Sequence, residues 1–139
     1  MKRLKYRKEK EPSFFYWGFH LLNQWLQIKN NGKSLAEYFE DNAIRRVAVY
    51  GLGAIGNRLI EELRQENVEV VCGIDRKAAE IHIEGLDVKT LEEDIPEVDA
   101  VIVTPIFFYE IQKEIYRKMG RDVHVVYIED VIEYCRSRI

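Results

Sequence analysis

Two kinds of hydrophobic pattern alternate along this chain from residue 46 onward. Short apolar runs rich in β-branched residues are typical of buried strands, and they predict strands at 46–50, 68–74, 86–88, 100–103 and 123–128. Between them, apolar residues recur every three or four positions, as on amphipathic helices. The predicted helices span 54–67, 107–119 and 129–137, and a further helical turn is predicted at 91–94.

This order of elements predicts the fold class. Strands that are apolar on both faces and alternate with helices indicate a parallel sheet covered on both sides. Right-handed crossovers then give the strand order 3-2-1-4-5. We therefore expect an α/β protein, with a Rossmann-like three-layer α/β/α domain over residues 46–139 and a sheet of about five parallel strands.

Residues 13–45 predict an N-terminal helical segment. Ser13 can cap a helix over 14–29, the Asn30-Asn31-Gly32 turn ends it, and a second helix follows at 35–42. The first helix is rich in aromatic residues and has three interpretations. It packs in the core, it forms an interface with a second copy or a partner enzyme, or it lies on an anionic membrane surface. Core or interface is favoured over membrane.

The charge is unevenly distributed along the chain. The first ten residues contain six Lys or Arg and one Glu, although the formal net charge of the whole chain is -3. We expect residues 1–12 to form a basic flexible tail before an acidic body. An acidic protein is a poor match for nucleic acid as its main partner.

Other bulk features indicate a cytoplasmic protein. No apolar run approaches the length of a membrane-spanning helix, and no signal peptide is recognisable. The two cysteines, Cys72 and Cys135, show neither metal-ligand spacing nor a disulfide framework, which fits a reducing compartment.

The strongest candidate site is a glycine loop directly after the first strand. Gly51-Leu52-Gly53-Ala54-Ile55-Gly56 matches G-x-G-x-x-G and opens a helix, which is the context that gives this motif meaning. Gly51 permits the tight turn, Gly53 lets a pyrophosphate approach the backbone, and Gly56 lets the helix pack closely on the sheet. The first N–H groups of that helix would face the phosphates. The sequence thus predicts a bound nucleotide.

A carboxylate completes the predicted site. Asp75 ends the second strand, nineteen residues beyond Gly56, where it can hydrogen-bond the ribose hydroxyls of an adenosine. It would also repel a 2′-phosphate, whereas the neighbouring Arg76 could accept one. NAD is therefore favoured, with NADP or a nucleotide-sugar as alternatives. The competing interpretation is a loop kept for packing, with Asp75 capping the next segment.

From residue 46 to about residue 130 the chain resembles the NAD(P)-binding Rossmann superfamily. The resemblance rests on VAVYGLGAIGNRL, VEVVCGID and VDAVIVTP. It implies a phosphate-binding role for the 51–56 loop and a ribose-binding role for Asp75. It also implies that Thr104 and Pro105 border the second half of the cofactor. Dehydrogenases add a catalytic part after these elements, so we expect this chain to depend on another chain for any catalysis.

A narrower resemblance covers most of the chain. The run LLNQWLQIKNNGKSLAEYFEDNAIRRVAVYGLGAIGNRL, together with VDAVIVTPIFFYEI, looks like small Rossmann-like domains that accompany glycosyltransferases in bacterial surface-polysaccharide biosynthesis. Related domains begin nucleotide-sugar-modifying enzymes of such pathways. This resemblance implies a pathway and no defined reaction.

Catalytic candidates are weak. His20, His82 and His124 show no metal-ligand spacing, and none is expected to be catalytic; His20 is expected to be a packing or surface residue. Tyr109 and Lys113 have the i, i+4 spacing of short-chain dehydrogenases but follow the wrong strand, so an ordinary amphipathic helix is preferred. Phe107 and Phe108 at the start of that helix fit core better than a ligand pocket.

Three functional hypotheses follow. The first is a nucleotide-binding module, with NAD(H) as ligand, that acts as an accessory or regulatory protein in surface-polysaccharide biosynthesis. The second is an oxidoreductase or nucleotide-sugar-modifying subunit that is active only with a partner. The third is an interaction scaffold with a vestigial glycine loop. The lack of a recognisable acid–base residue favours the first over the second.

Overall fold

The computed structural model describes the backbone of residues 4–139 and the side chains of residues 13–139. Within that range five parallel strands form one sheet in the order β3-β2-β1-β4-β5. The strands are β1 (Arg46–Tyr50), β2 (Glu69–Ile74), β3 (Val88–Lys89), β4 (Ala100–Val103) and β5 (His124–Tyr127). The helices are α1 (Leu4–Asn30), α2 (Ala36–Asp41), α3 (Ala54–Leu63), α4 (Phe108–Met119) and α5 (Ile128–Arg136), with a 3₁₀ turn at Ala78–Glu80. The predicted Rossmann-like fold class and strand order are confirmed.

The strand register brings three chain segments together at one edge. Tyr50, the last residue of β1, lies opposite Ile74 of β2 and Val103 of β4. Because these parallel strands end at the same level, the residues that follow them lie side by side. This is the switch point of the sheet, where the strand order runs in opposite directions away from β1. That edge is where the glycine loop leaves the sheet.

Alternating side chains of the strands build two cores, one on each face of the sheet. On β1, Val47 and Val49 face the first core, which is covered by α1, α2, α3 and α5. Ala48 and Tyr50 face the second core, which is covered by α4. The central strands are buried on both faces, as a parallel sheet between helices requires.

The structure differs from the sequence prediction at several boundaries. β3 covers only Val88–Lys89, and residues 91–94 form a turn rather than helix. Helix α1 begins at Leu4, so Ser13 does not cap it; the Lys, Arg and Glu residues before Ser13 are good helix formers. The predicted flexible tail includes residues 1–3, which lie outside the described residues, and it stays a prediction.

Helix α1 has one buried face. Leu21, Trp25 and Ile28, spaced by four and three residues, are almost fully buried in the first core. The core interpretation of the aromatic helix therefore holds for this face. The opposite face carries exposed apolar residues, and its amino-terminal half reaches the edge of the sheet where the glycine loop lies.

A buried carboxylate fastens α1 and α2 to α3. Glu62 of α3 is 7% exposed and accepts hydrogen bonds from the Trp25 indole at 2.8 Å and from the Leu35 backbone N–H at 2.6 Å. The Lys29 ammonium lies 3.3 Å from the same carboxylate. A buried charge is tolerated when it is paired and hydrogen-bonded. Glu62 meets that condition through two groups from α1 and one from the residue that precedes α2.

We predict that Glu62→Ala destabilises the protein by about 3 kcal/mol, because it leaves the Trp25 and Leu35 donors buried without an acceptor. Urea denaturation followed by circular dichroism measures the change. Glu61→Ala is the matched control, since Glu61 is exposed and forms an ion pair with Arg58 on the same helix. It should change the free energy of unfolding by roughly 0.5 kcal/mol or less. Equal effects of the two variants would contradict the anchoring role of Glu62.

Candidate functional site

The candidate site lies at the carboxyl edge of the three central strands. Gly51 follows β1, Asp75 follows β2 and Thr104 follows β4. The Gly51 N–H donates to the Ile74 carbonyl at 2.8 Å, and the Thr104 N–H donates to the Tyr50 carbonyl at 3.0 Å. These bonds extend the sheet by one residue, so the predicted site residues start from a rigid base.

Two of the three glycines are required by close packing. Gly51 has φ of 96°, which L residues with side chains rarely adopt, and a Cβ there would lie 2.6 Å from the Pro105 ring. A Cβ on Gly56 would lie 1.9 Å from the Gly51 carbonyl oxygen. The start of α3 therefore rests directly on the end of β1. Both glycines have the tight-turn and close-packing roles that the motif predicts.

Gly53 is different, because it faces open space. It has an ordinary negative φ of -84°, and a Cβ there would meet nothing within 4 Å. It forms the amino-terminal boundary of α3, where no side chain of the described residues caps the helix. The first N–H groups of a helix have no intrahelical acceptor, and its dipole favours an anion. The exposed backbone at Gly53 and Ala54 thus offers unoccupied donors beside an open cavity.

Asp75 is tied to the glycine loop. Its Oδ2 accepts a hydrogen bond from the Leu52 N–H at 2.9 Å, and its Oδ1 accepts one from the Lys77 N–H at 2.9 Å. The second bond is the capping contact that the packing interpretation anticipates. Each carboxylate oxygen retains a further lone pair, so neither bond prevents a ribose hydroxyl from donating to Asp75. Its role toward ribose stays a prediction.

Thr104 and Pro105 complete the loop's support. The buried Thr104 hydroxyl lies within hydrogen-bond distance of the Gly51 carbonyl at 3.0 Å and the Tyr50 carbonyl at 3.1 Å, and it donates its proton there. Pro105 packs against Gly51. Both residues line the cavity beside the loop, but the Thr104 hydroxyl is engaged in holding β4 to the end of β1.

A cavity of about 470 Å³ opens over the glycine loop. The whole 51–56 loop, Asp75, Thr104 and Pro105 form one side of it. Helix α1 forms the other side, with the residues Phe14, Phe15, Trp17, Gly18, Phe19 and Leu22. These aromatic residues were not predicted to be part of the site. Apolar residues occur on more than one face of this helix. A helix that only packs against the core needs one apolar face, so the extra apolar positions are the signal in the sequence for a further role.

The aromatic wall is held in place by stacking. Trp17 stacks on Tyr127 at the end of β5 with ring centroids 6.2 Å apart, and Tyr127 stacks on Phe108 at 4.7 Å. The Trp17 indole N–H donates to Glu129 at 2.8 Å. Burial, followed by the charges of Glu129 and Asp130, raises the pKa of the Tyr127 hydroxyl, which stays protonated at neutral pH. These rings fix the amino-terminal half of α1 against the sheet edge.

A second cavity, of about 610 Å³, adjoins the first. It shares Gly51, Asp75 and Pro105 with the first cavity, and its other lining residues are Tyr50, Arg76, Lys77, Phe107, Glu110, Ile111 and Glu114. Nine of the ten predicted site residues line the first cavity, and the tenth, Arg76, lines the second cavity instead. Phe107 was expected in the core but is 47% exposed and lines this cavity, whereas Phe108 is buried as expected.

The two cavities differ in character and meet at Asp75. The first is bounded by the glycine loop and aromatic rings, and the second by charged side chains from the turn after β2 and from α4. Together they run along the carboxyl edge of the sheet on both sides of the glycine loop. This arrangement can hold an extended ligand with a central anionic group and a ring system at each end.

The remaining candidates lie apart from these cavities. His20, His82 and His124 are exposed, and Tyr109 and Lys113 lie on the solvent face of α4. Among the described residues no group of three or more His, Cys, Asp or Glu side chains is placed to hold a metal ion. The structure therefore brings none of them to the glycine loop.

The fold and the site define a Rossmann-like α/β domain with a glycine loop at the switch point of its sheet. The sequence model of the family described as C2185-like, N-terminal, matches residues 43–126, and the chain belongs to that family. The matched range contains the glycine loop, Asp75, Thr104 and Pro105, whereas the aromatic residues of α1 precede it. No solved structure matches the chain.

Proposed function

We propose that this protein is a nucleotide-binding module whose ligand is NAD(H). The observation that supports the proposal best is that three features occur together around Gly53. The uncapped start of α3, an open position above Gly53 and a carboxylate at the end of β2 occur together at one sheet edge. A pyrophosphate needs the first two features, and an adenosine ribose needs the third.

The two cavities support a dinucleotide over a mononucleotide. An adenosine fits the second cavity, next to Asp75 and Arg76, and the pyrophosphate fits at Gly53. The other nucleoside then extends into the first cavity, where its ring meets Phe14 and Trp17. Aromatic walls stack well on planar rings. NADP(H) or a nucleotide-sugar are the alternatives that share the same phosphate position.

We propose an accessory or regulatory role in bacterial surface-polysaccharide biosynthesis. The pathway rests on the resemblance of residues 21–59 and 98–111 to domains that accompany glycosyltransferases. A cytoplasmic location fits the two buried free thiols, Cys72 and Cys135, which a reducing compartment preserves. No helix in the described part of the chain is long and apolar enough to cross a membrane.

A partner-dependent oxidoreductase or sugar-modifying subunit is the second candidate. It is favoured by Phe15 and Phe19, which line the first cavity and are exposed, so that a partner chain can contact them. The third candidate, an interaction scaffold with a vestigial loop, is disfavoured by the free space at Gly53, since a loop kept only for packing has no need of that space.

We predict that Gly53→Val weakens NADH binding by roughly tenfold or more while the fold is kept. The valine side chain would occupy the position of the pyrophosphate, and its Cβ meets no protein atom within 4 Å. The φ of -84° suits valine. Isothermal titration calorimetry measures affinity, and circular dichroism with thermal unfolding checks the fold.

Ala79→Val is the matched control for this variant. Ala79 is exposed on the 3₁₀ turn and lines neither cavity, so the same kind of added bulk should leave NADH affinity unchanged. Unchanged affinity in Gly53→Val would show that the loop is not the phosphate site. Loss of affinity together with loss of structure would contradict the expected tolerance of the fold at position 53.

We further propose that the exposed face of α1 forms a homodimer interface. Phe15, Phe19, Leu22 and Leu26 are exposed and are spaced by four, three and four residues, as in a helix that pairs with another helix. Exposed apolar stripes of this kind mark interaction sites. A second copy presents the same stripe and can pair with it about a two-fold axis. A partner enzyme is the alternative occupant.

For this interface we predict that the wild-type protein is a dimer and that Phe19→Lys is a monomer. A lysine in the centre of the stripe would place a charge in the apolar contact. Size-exclusion chromatography with light scattering measures the mass. Tyr109→Lys is the control, because Tyr109 is an exposed aromatic residue on α4 and should leave the dimer intact. A monomeric wild-type protein would contradict the homodimer.

A further inference from the structure

The second cavity contains an ion pair that the fold does not require. Arg76 follows Asp75, and its Nη2 lies 3.0 Å from the Glu114 Oε2 on α4. The two side chains are 76% and 39% exposed, so the pair contributes little to stability. Its guanidinium is thus held toward α4 by the Glu114 carboxylate.

The ion pair bears on ligand binding because Arg76 directly follows Asp75. An arginine next to the ribose-binding carboxylate is the group that can accept a 2′-phosphate, through paired hydrogen bonds from its guanidinium. Here the guanidinium that would perform this task is already engaged by Glu114. A 2′-phosphate would have to share Arg76 with the Glu114 carboxylate or displace it, and in both cases it would lie close to that negative charge.

The charges that line the second cavity act in the same direction. Asp75, Glu110 and Glu114 contribute three carboxylates, and Arg76 and Lys77 contribute two cations. A phosphate monoester brings a charge of about -2 at neutral pH, which these carboxylates repel. A 2′-hydroxyl brings no charge and can donate to Asp75.

From this arrangement we infer that Glu114 is the specificity-determining residue of the site, which selects NAD(H) against NADP(H) by occupying the Arg76 guanidinium. The inference rests on the proposed function and refines its ligand class. Asp75 is bonded to the Leu52 and Lys77 N–H groups, whereas Glu114 is the carboxylate that contacts Arg76.

The test is calorimetric titration of the wild-type protein and of Glu114→Gln with NADH and with NADPH. The wild-type protein should prefer NADH. In Glu114→Gln the affinity for NADPH should rise roughly tenfold, because Arg76 is released and one carboxylate is removed, while the affinity for NADH changes little. Glu61→Gln is the control: it removes the same charge from an exposed pair with Arg58 and should leave the preference unchanged.

A double variant, Arg76→Gln with Glu114→Gln, tests whether the gain acts through Arg76. The gain in NADPH affinity should disappear, and its persistence would overturn the inference by assigning the effect to net charge alone. An unchanged preference in Glu114→Gln would also overturn it, while NADH binding by the wild-type protein would leave the proposed function standing. Failure of the wild-type protein to bind either dinucleotide would overturn both.

Discussion

The site depends on one close contact, between the start of α3 and the end of β1. Because a Cβ on Gly56 would lie 1.9 Å from the Gly51 carbonyl oxygen, the helix can approach the strand this closely only with glycine at position 56. That approach aims the first N–H groups of α3 along the carboxyl edge of the sheet. The Thr104 hydroxyl and the Asp75 carboxylate then fix the loop from the two neighbouring strands. The geometry of the glycine loop therefore depends on the register of the three central strands.

Helix α1 forms the second side of the cavity at this edge. Its buried face is anchored to α3 through Glu62, and its amino-terminal half is held to β5 by the stacking of Trp17 on Tyr127. Phe14, Phe15, Trp17 and Phe19 of this helix line the cavity over the loop. The same helix carries the exposed stripe from Phe15 to Leu26, so the ligand cavity and the proposed dimer interface share residues. Binding at one is expected to influence the other.

The sequence predicts the parts that depend on local pattern. Strand order follows from alternating elements, and Gly51, Gly56 and Asp75 follow from a motif whose spacing reflects strand and helix lengths. The aromatic wall was not predicted, because residues 14–26 are apolar on several faces and periodicity alone does not assign them. Glu62 and Glu114 were not predicted either, since their partners lie 27 to 38 residues away in sequence and meet them only after the helices pack. Phe107 was assigned to the core, but the packing of α4 leaves it exposed beside Arg76.

We propose that the pyrophosphate of a dinucleotide binds at the uncapped start of α3. The decisive experiment is calorimetric titration of the wild-type protein with NADH, compared with AMP and with nicotinamide mononucleotide. We expect saturable binding of one NADH per chain, with each half-molecule binding much more weakly, because both cavities and the loop contribute. Binding of AMP as tight as that of NADH, or no binding of NADH, would contradict it.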